Sequence, residues 1–177
     1  MLQSVAALTA VGLATLALGA CGSATPGKAT RVPLPAGPHP SEIAKMVCQP
    51  EAQRELALVL GVKATVGPRT WVDHRYTCTY AYPDGNYVLS VQELSSWDQT
   101  FTYYRSLGQE LGRVRSLPNL GQGAFQTTDG SVVVRKDWKV LLVNVAGLPA
   151  QFAVPPTSPT NAAVTVADVI LSCWAGD

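Results

Sequence analysis

The chain begins with an uncharged apolar run, which a proline- and glycine-rich segment separates from the residues after it. Residues 8–20 read LTAVGLATLALGA, and no charged residue occurs among residues 1–20. This run has the length of a signal-peptide core and falls short of the roughly 20 apolar residues of a membrane-spanning helix. Residues 22–40 then hold five prolines and three glycines. Such a segment cannot continue a buried helix or form a core. Folding is therefore expected to begin after residue 40.

The junction of these two segments, Leu18-Gly19-Ala20-Cys21, resembles the bacterial lipobox. In that motif a large apolar residue lies three places before a cysteine, and small residues fill the places between. The resemblance implies that residues 1–20 are a signal peptide and that Cys21 receives a diacylglyceryl anchor with acyl chains such as palmitate. It also implies a location on the outer face of the cytoplasmic membrane. The alternatives are an ordinary secretory signal with a chance cysteine, or a buried helix.

The anchor divides the chain into three parts. After the signal peptide, residues 21–40 are expected to be a lipidated cysteine and a disordered linker. At about 3 Å per residue in the polyproline conformation, this linker reaches at most on the order of 60 Å. Residues 41–177 are expected to be one extracytoplasmic domain. The formal net charge of +1 is too small for nucleic acid to be an obvious partner.

The spacing of apolar and turn-forming residues predicts an α+β domain. Helices are predicted near 41–47, 50–60, 96–111 and 163–174, and strands at 70–82, 87–94, 123–128, 131–136 and 139–146. Short turns separate consecutive strands, so the sheet needs no parallel crossover. We expect a single antiparallel sheet of about five to six strands with helices packed on one side.

Several segments together resemble a group of actinobacterial exported lipoproteins. They are LGAC, the cysteine at 48, WVDHRYTCTY, LPNLGQGAF, DGSVVVRKDWKVLLVNV and the final CW. The group is not associated with an activity. Related small lipoproteins and extracellular sensor domains have a sheet covered by helices, similar to the Mog1/PsbP-like fold. The resemblance therefore implies an architecture and leaves function open.

Three cysteines remain once Cys21 is lipidated, and an exported domain experiences an oxidising environment. We predict a disulfide between Cys48, at the end of the first helix, and Cys78, in the middle of a strand. Cys173 would then be a buried thiol. The alternative pairing, Cys48 with Cys173, would join the two terminal helices.

The sequence contains no recognisable catalytic or metal-binding motif. His74, between Asp73 and Arg75, is the one histidine in the predicted domain, and no G-x-S-x-G nucleophile motif occurs. The cysteines lack the close pairs of zinc sites, and no window has the acidic residues of a calcium loop. We therefore expect no cofactor and a non-catalytic binding or accessory domain. The alternatives are a carrier of envelope lipids and, third, a hydrolase using His74.

Two surfaces are candidates for contacts with an envelope glycan, lipid or protein. Nine of the 13 aromatic residues fall between positions 71 and 104. Trp71, Asp73, Tyr76 and Tyr80 could form a binding surface there, although these aromatics could equally form the core. The second candidate is a basic set made of Arg113, Arg115, Arg135, Lys136 and Lys139, for which a solvated face is the alternative.

Overall fold

The computed structural model describes residues 33–174. Its helices are α1 (Glu42–Met46), α2 (Pro50–Leu60), α3 (Trp97–Glu110) and α4 (Pro159–Cys173). Its strands are β1 (Thr65–Val66), β2 (Thr70–Val72), β3 (Arg75–Tyr82), β4 (Gly85–Glu93), β5 (Arg113–Leu117), β6 (Gly123–Thr127), β7 (Val132–Lys136) and β8 (Lys139–Asn144). The predicted signal peptide, the lipidated Cys21 and most of the linker lie outside the described residues. Within the described part, no helix is long and apolar enough to cross a membrane.

The strands form one antiparallel sheet in the order β1-β3-β4-β8-β7-β6-β5, and β2 also pairs with β3. The α+β class and the antiparallel sheet are confirmed, but eight strands replace the five to six expected. The predicted strand 70–82 is a hairpin, because Asp73 and His74 adopt φ values of 50° and 60° and turn the chain back. The short strands β1 and β5 were not predicted.

The helices lie on both faces of the sheet, so the expectation of one covered face is wrong. Val132 and Val134 of β7 face the larger core, to which α1, α2 and α4 contribute, whereas Val133 faces a smaller cluster under α3. Successive side chains of a strand point to opposite faces. Three consecutive buried valines therefore indicate a strand covered on both sides.

The prediction of a disulfide between Cys48 and Cys78 is confirmed, which excludes the alternative pairing of Cys48 with Cys173. Both bonded cysteines are at most 1% exposed. Cys173 is half-buried and is not a free thiol, so the prediction of a buried thiol there is wrong. The disulfide links the residue after α1 to the centre of β3.

The segment before α1 lies against the domain from residue 36 onward, within the predicted linker. The Ala36 N–H donates to the Leu94 carbonyl and to Ser95 Oγ, both at 3.2 Å. Pro38 accepts a hydrogen bond from Trp71 Nε1 at 3.0 Å. His39 is exposed. The chain is therefore fixed to the domain five residues before the predicted start of the domain.

Candidate functional site

The predicted aromatic surface does not form as one surface. Tyr76 is 7% exposed and Tyr80 is 1% exposed, and both belong to the larger core. They alternate along β3 with the more accessible Thr77 and Thr79, so they point to the face covered by α1, α2 and α4. Only Trp71 and Asp73 of the predicted set reach the surface of the domain.

Trp71 and Asp73 hold the segment before α1 and the first hairpin in place. The indole of Trp71 donates to Pro38 and contacts the His74 ring edge-on, at 5.8 Å between centroids. Asp73 lies in the turn between β2 and β3, and its carbonyl accepts a 2.8 Å hydrogen bond from Gln92 Nε2. These contacts give both residues a structural role.

His74 and Arg75 have separate hydrogen-bond partners. The Nδ1 of His74 lies 3.0 Å from the Gly37 carbonyl, while the Arg75 guanidinium donates from Nε to Gln92 Oε1 at 3.2 Å. His74 lies in the turn between β2 and β3, so the predicted strand 70–82 does not continue through it. Within residues 33–174 no three His, Cys, Asp or Glu side chains are placed to hold a metal ion.

The predicted basic set is also not one surface. Lys139 is 5% exposed, and Lys136 Nζ donates to the Trp174 carbonyl at 2.6 Å. Arg135 stacks on the aromatic rings of α3, whereas Arg113 and Arg115 lie on the edge strand β5. These cations are close together in the sequence, but the pairing of the strands and the turns between them place their side chains apart.

The structure instead reveals a groove between α2 and the edge of the sheet at β1 and β3, which we call the α2 groove. It is open to solvent along one side and has a volume of about 540 Å³. Leu56 and Ala57 of α2 and Ala64, next to β1, form apolar walls, with Tyr80 and Tyr82 of β3 at the base. Ligand pockets commonly have volumes of about 300–1,000 Å³, so this groove has the size of a small-molecule site.

The tyrosines of the α2 groove are rigid and neutral. The Tyr80 ring stacks on Tyr87 with 4.9 Å between centroids, and Tyr82 meets Phe152 edge-on at 4.8 Å. Burial raises the pKa values of Tyr80 and Tyr82 above the usual tyrosine value. Because both hydroxyls stay protonated at neutral pH, these residues add no charge to the groove.

The charged side chains that line the α2 groove are both cations. Arg54 and Lys63 line the groove, and no carboxylate does. Arg54 has one acidic neighbour, Glu51, at 3.3 Å on the exposed side of α2. Lys63 is exposed in the segment between α2 and β1. An apolar groove with two cations suits a ligand with an apolar body and an anionic end.

Few features of the sequence indicate the α2 groove. Its wall at Ala64 adjoins β1, a strand of two residues that is too short to show a pattern. Leu58, an apolar residue that is 74% exposed on α2, is the one local signal, because an amphipathic helix should bury it. No protein family model, curated protein or solved structure matches this chain. The relationship to actinobacterial lipoproteins and to the Mog1/PsbP-like fold therefore stays a prediction.

Proposed function

We propose that this chain is an exported lipoprotein whose domain is a non-catalytic binding module at the outer face of the cytoplasmic membrane. Acylated Cys21 would attach it to the membrane, and the α2 groove would bind the ligand. The observation that carries the proposal is the groove itself, which combines apolar walls with Arg54 and Lys63 and has no lining carboxylate. The ligand class we propose is a small amphiphile with one anionic group.

The two parts of such a ligand would be recognised by different forces. Its apolar part would contact Ala57, Leu58 and the Tyr82 ring, and each buried CH₂ group contributes about 0.8 kcal/mol. Its anionic end would meet Arg54 or Lys63, and this attraction is screened by salt because both cations are exposed. No covalent step is needed, because neither cation is paired with a nucleophile in the lining of the groove.

The open shape of the α2 groove favours recognition over transport. A carrier protects the apolar part of its lipid from water, which requires an enclosed cavity. The α2 groove leaves one side of its occupant in solvent. The carrier of envelope lipids therefore ranks second. A hydrolase using His74 ranks third, because its Nδ1 already contacts Gly37.

The groove can be tested with a photoactivatable fatty acid that carries a diazirine on its acyl chain. The chain is purified from the membrane fraction, placed in phospholipid vesicles and irradiated with this probe. We expect labelled peptides from α2 and β3. Ala57→Phe should reduce the labelling several-fold by filling the groove. Val59→Phe is the matched control, because Val59 is exposed on the same helix and outside the α2 groove.

Charge recognition needs a separate pair of variants. Lys63→Gln should weaken labelling by the fatty acid, whereas Lys45→Gln removes an exposed cation elsewhere and should have no effect. Equal labelling in all four variants would contradict the α2 groove as the ligand site. Turnover of an ester, glycan or peptide that is lost in His74→Ala with its fold intact would contradict the non-catalytic function.

The membrane attachment has its own measurement. Cys21→Ala should leave the membrane fraction or accumulate as an uncleaved precursor, because two or more acyl chains are needed for stable binding. The intact mass of the mature chain should include the added acyl groups. A mature chain without that added mass would contradict lipidation.

A further inference from the structure

Two aromatic side chains at the start of α3 are exposed together, next to an arginine. Trp97 is 39% exposed and Phe101 is 42% exposed, with 6.1 Å between their ring centroids. The Arg135 guanidinium carbon lies 4.4 Å from the centroid of Phe101 and 5.7 Å from that of Trp97. We call these three residues the α3 aromatic patch.

The exposure of this patch differs from what helical spacing suggests. Trp97 and Phe101 fall on the same helical face as Tyr104, which predicts that all of them pack on the sheet. In the structure Thr100, Tyr104 and Leu107 are the buried residues of the helix, while Trp97 and Phe101 are exposed. The helix therefore packs through the face of these three residues and leaves its first aromatic pair accessible.

The segment that leads back toward Cys21 reaches the domain at this same place. Ala36 is hydrogen-bonded to Leu94 and Ser95, immediately before the N-cap of α3 and Trp97. Leu34, in this segment, is 81% exposed. The 15 residues from Cys21 to Ala36 span at most about 45 Å at roughly 3 Å per residue. An anchor at Cys21 would therefore allow this end of the domain to reach the membrane.

Two arginines lie beside the rings of the patch. Arg135 belongs to it, and Arg105 Nε donates to the Phe101 carbonyl at 3.3 Å. Two carboxylates are nearby in the chain: Asp98 is exposed on α3, and Asp137 accepts a 3.0 Å hydrogen bond from Gln122. Arginines beside exposed aromatic rings suit the headgroup region of a membrane with anionic lipids.

We infer that the α3 aromatic patch rests on the membrane surface, with Trp97 and Phe101 among the lipid headgroups and Arg135 near their phosphates. This inference rests on the lipid anchor of the proposed function. A weak surface contact is sufficient once the anchor is in place, because tethering makes the second contact effectively intramolecular. The patch would orient the domain and direct its other surfaces away from the bilayer.

Tryptophan quenching by brominated lipids tests this inference on the full mature chain. The chain is placed in vesicles of phosphatidylcholine and phosphatidylglycerol that carry bromine near the headgroup end of the acyl chains. We expect quenching of the tryptophan fluorescence, and Trp97→Phe should abolish most of it. Trp174→Phe is the matched control, because Trp174 is 2% exposed in the larger core, on the face of the sheet opposite α3, and should leave the quenching unchanged.

Two further variants test the contribution of each part of the patch with Trp97 intact. Phe101→Ser should reduce the quenching, because it removes one of the two inserted rings. Arg135→Gln should reduce it in vesicles with phosphatidylglycerol and have little effect in pure phosphatidylcholine.

Flotation of the vesicles separates failure of the inference from failure of the anchor. If the chain floats with the vesicles and Trp97→Phe leaves the quenching unchanged, the patch does not face the membrane and the inference is overturned while the anchor stands. A chain that does not float overturns the anchor, and the inference with it.

Discussion

The hydroxyl of Tyr80 donates a 2.7 Å hydrogen bond to the backbone carbonyl of Val47. Tyr80 is in the middle of β3, and Val47 is the C-cap of α1. The same short stretch carries the disulfide, and the next carbonyl, that of Cys48, accepts hydrogen bonds from Gln53 and Arg69, both at 2.9 Å. The junction of α1 and α2 is therefore fixed to the sheet by side chains from several elements.

The Tyr80 hydrogen bond should contribute measurably to stability. Tyr80→Phe keeps the ring stack on Tyr87 but leaves the buried Val47 carbonyl without its closest donor. Loss of a buried partner costs about 1–3 kcal/mol, and we expect a destabilisation in that range. The free energy of unfolding from urea titration measures it. An unchanged unfolding midpoint would show that the carbonyl finds another donor.

The disulfide should be the largest single covalent contribution to stability in the described part of the chain. Its cysteines are 30 residues apart, and closing a loop of that length stabilises by roughly 3–4 kcal/mol in the chain-entropy model. The double variant Cys48→Ser, Cys78→Ser should lose about that much free energy of unfolding. Peptide mapping without reduction should recover a peptide pair joined through these two cysteines. A linked peptide joining Cys173 to either of them would contradict the assignment.

Much of the fold was predictable because local patterns and long-range packing agree. The helix at 50–60 begins with a proline and ends at Gly61 with φ of 65°, and both signals are visible in the sequence. The last helix was predicted to begin near residue 163, yet Ser158 caps it and Pro159 begins it. Thr160 and Asn161 in its first turn have weak helix propensity and masked that start.

The candidate sites were less predictable, because they depend on which face a side chain takes. Tyr76 and Tyr80 were correctly located on a strand, but composition alone could not distinguish a core face from a surface. The turn at Asp73 and His74 reversed the chain without a glycine, so the usual hairpin signal was missing. The α2 groove forms where α2 lies beside the edge of the sheet, and a local sequence pattern does not indicate how a helix is placed against a sheet.

Stability should fall at high pH because buried tyrosines resist ionisation in the folded state. Burial raises the pKa of Tyr80 above the usual 10.0, and it raises the pKa values of Tyr82 and Tyr87 as well. Below about pH 10 both folded and unfolded states hold these protons, so stability does not depend on them. Above that pH the unfolded state releases protons first and is favoured. Urea midpoints should therefore be constant up to about pH 9 and fall beyond it.

Ultraviolet absorbance tests directly whether the buried tyrosines cause this loss of stability. Ionised tyrosine absorbs at longer ultraviolet wavelengths, so part of the tyrosine absorbance change should appear only when the chain unfolds. Tyr80→Phe should make the loss of stability with rising pH less steep. A pH profile that is identical in this variant would contradict a contribution from Tyr80.

The contact between Trp71 and Pro38 should control how firmly the segment before α1 is held. Trp71→Phe keeps an aromatic ring but removes the Nε1 donor of the 3.0 Å hydrogen bond. The bond is exposed, so we expect a change of at most about 1 kcal/mol in the free energy of global unfolding. Locally, the Ala36 amide should exchange its hydrogen faster, because its bonds to Leu94 and Ser95 depend on the segment staying in place. Hydrogen exchange resolved at Ala36 measures this, with Trp97→Phe as the tryptophan control that leaves the segment intact. If the Ala36 amide exchanges at the same rate in Trp71→Phe and Trp97→Phe, the contact of His74 with Gly37 holds the segment without Trp71.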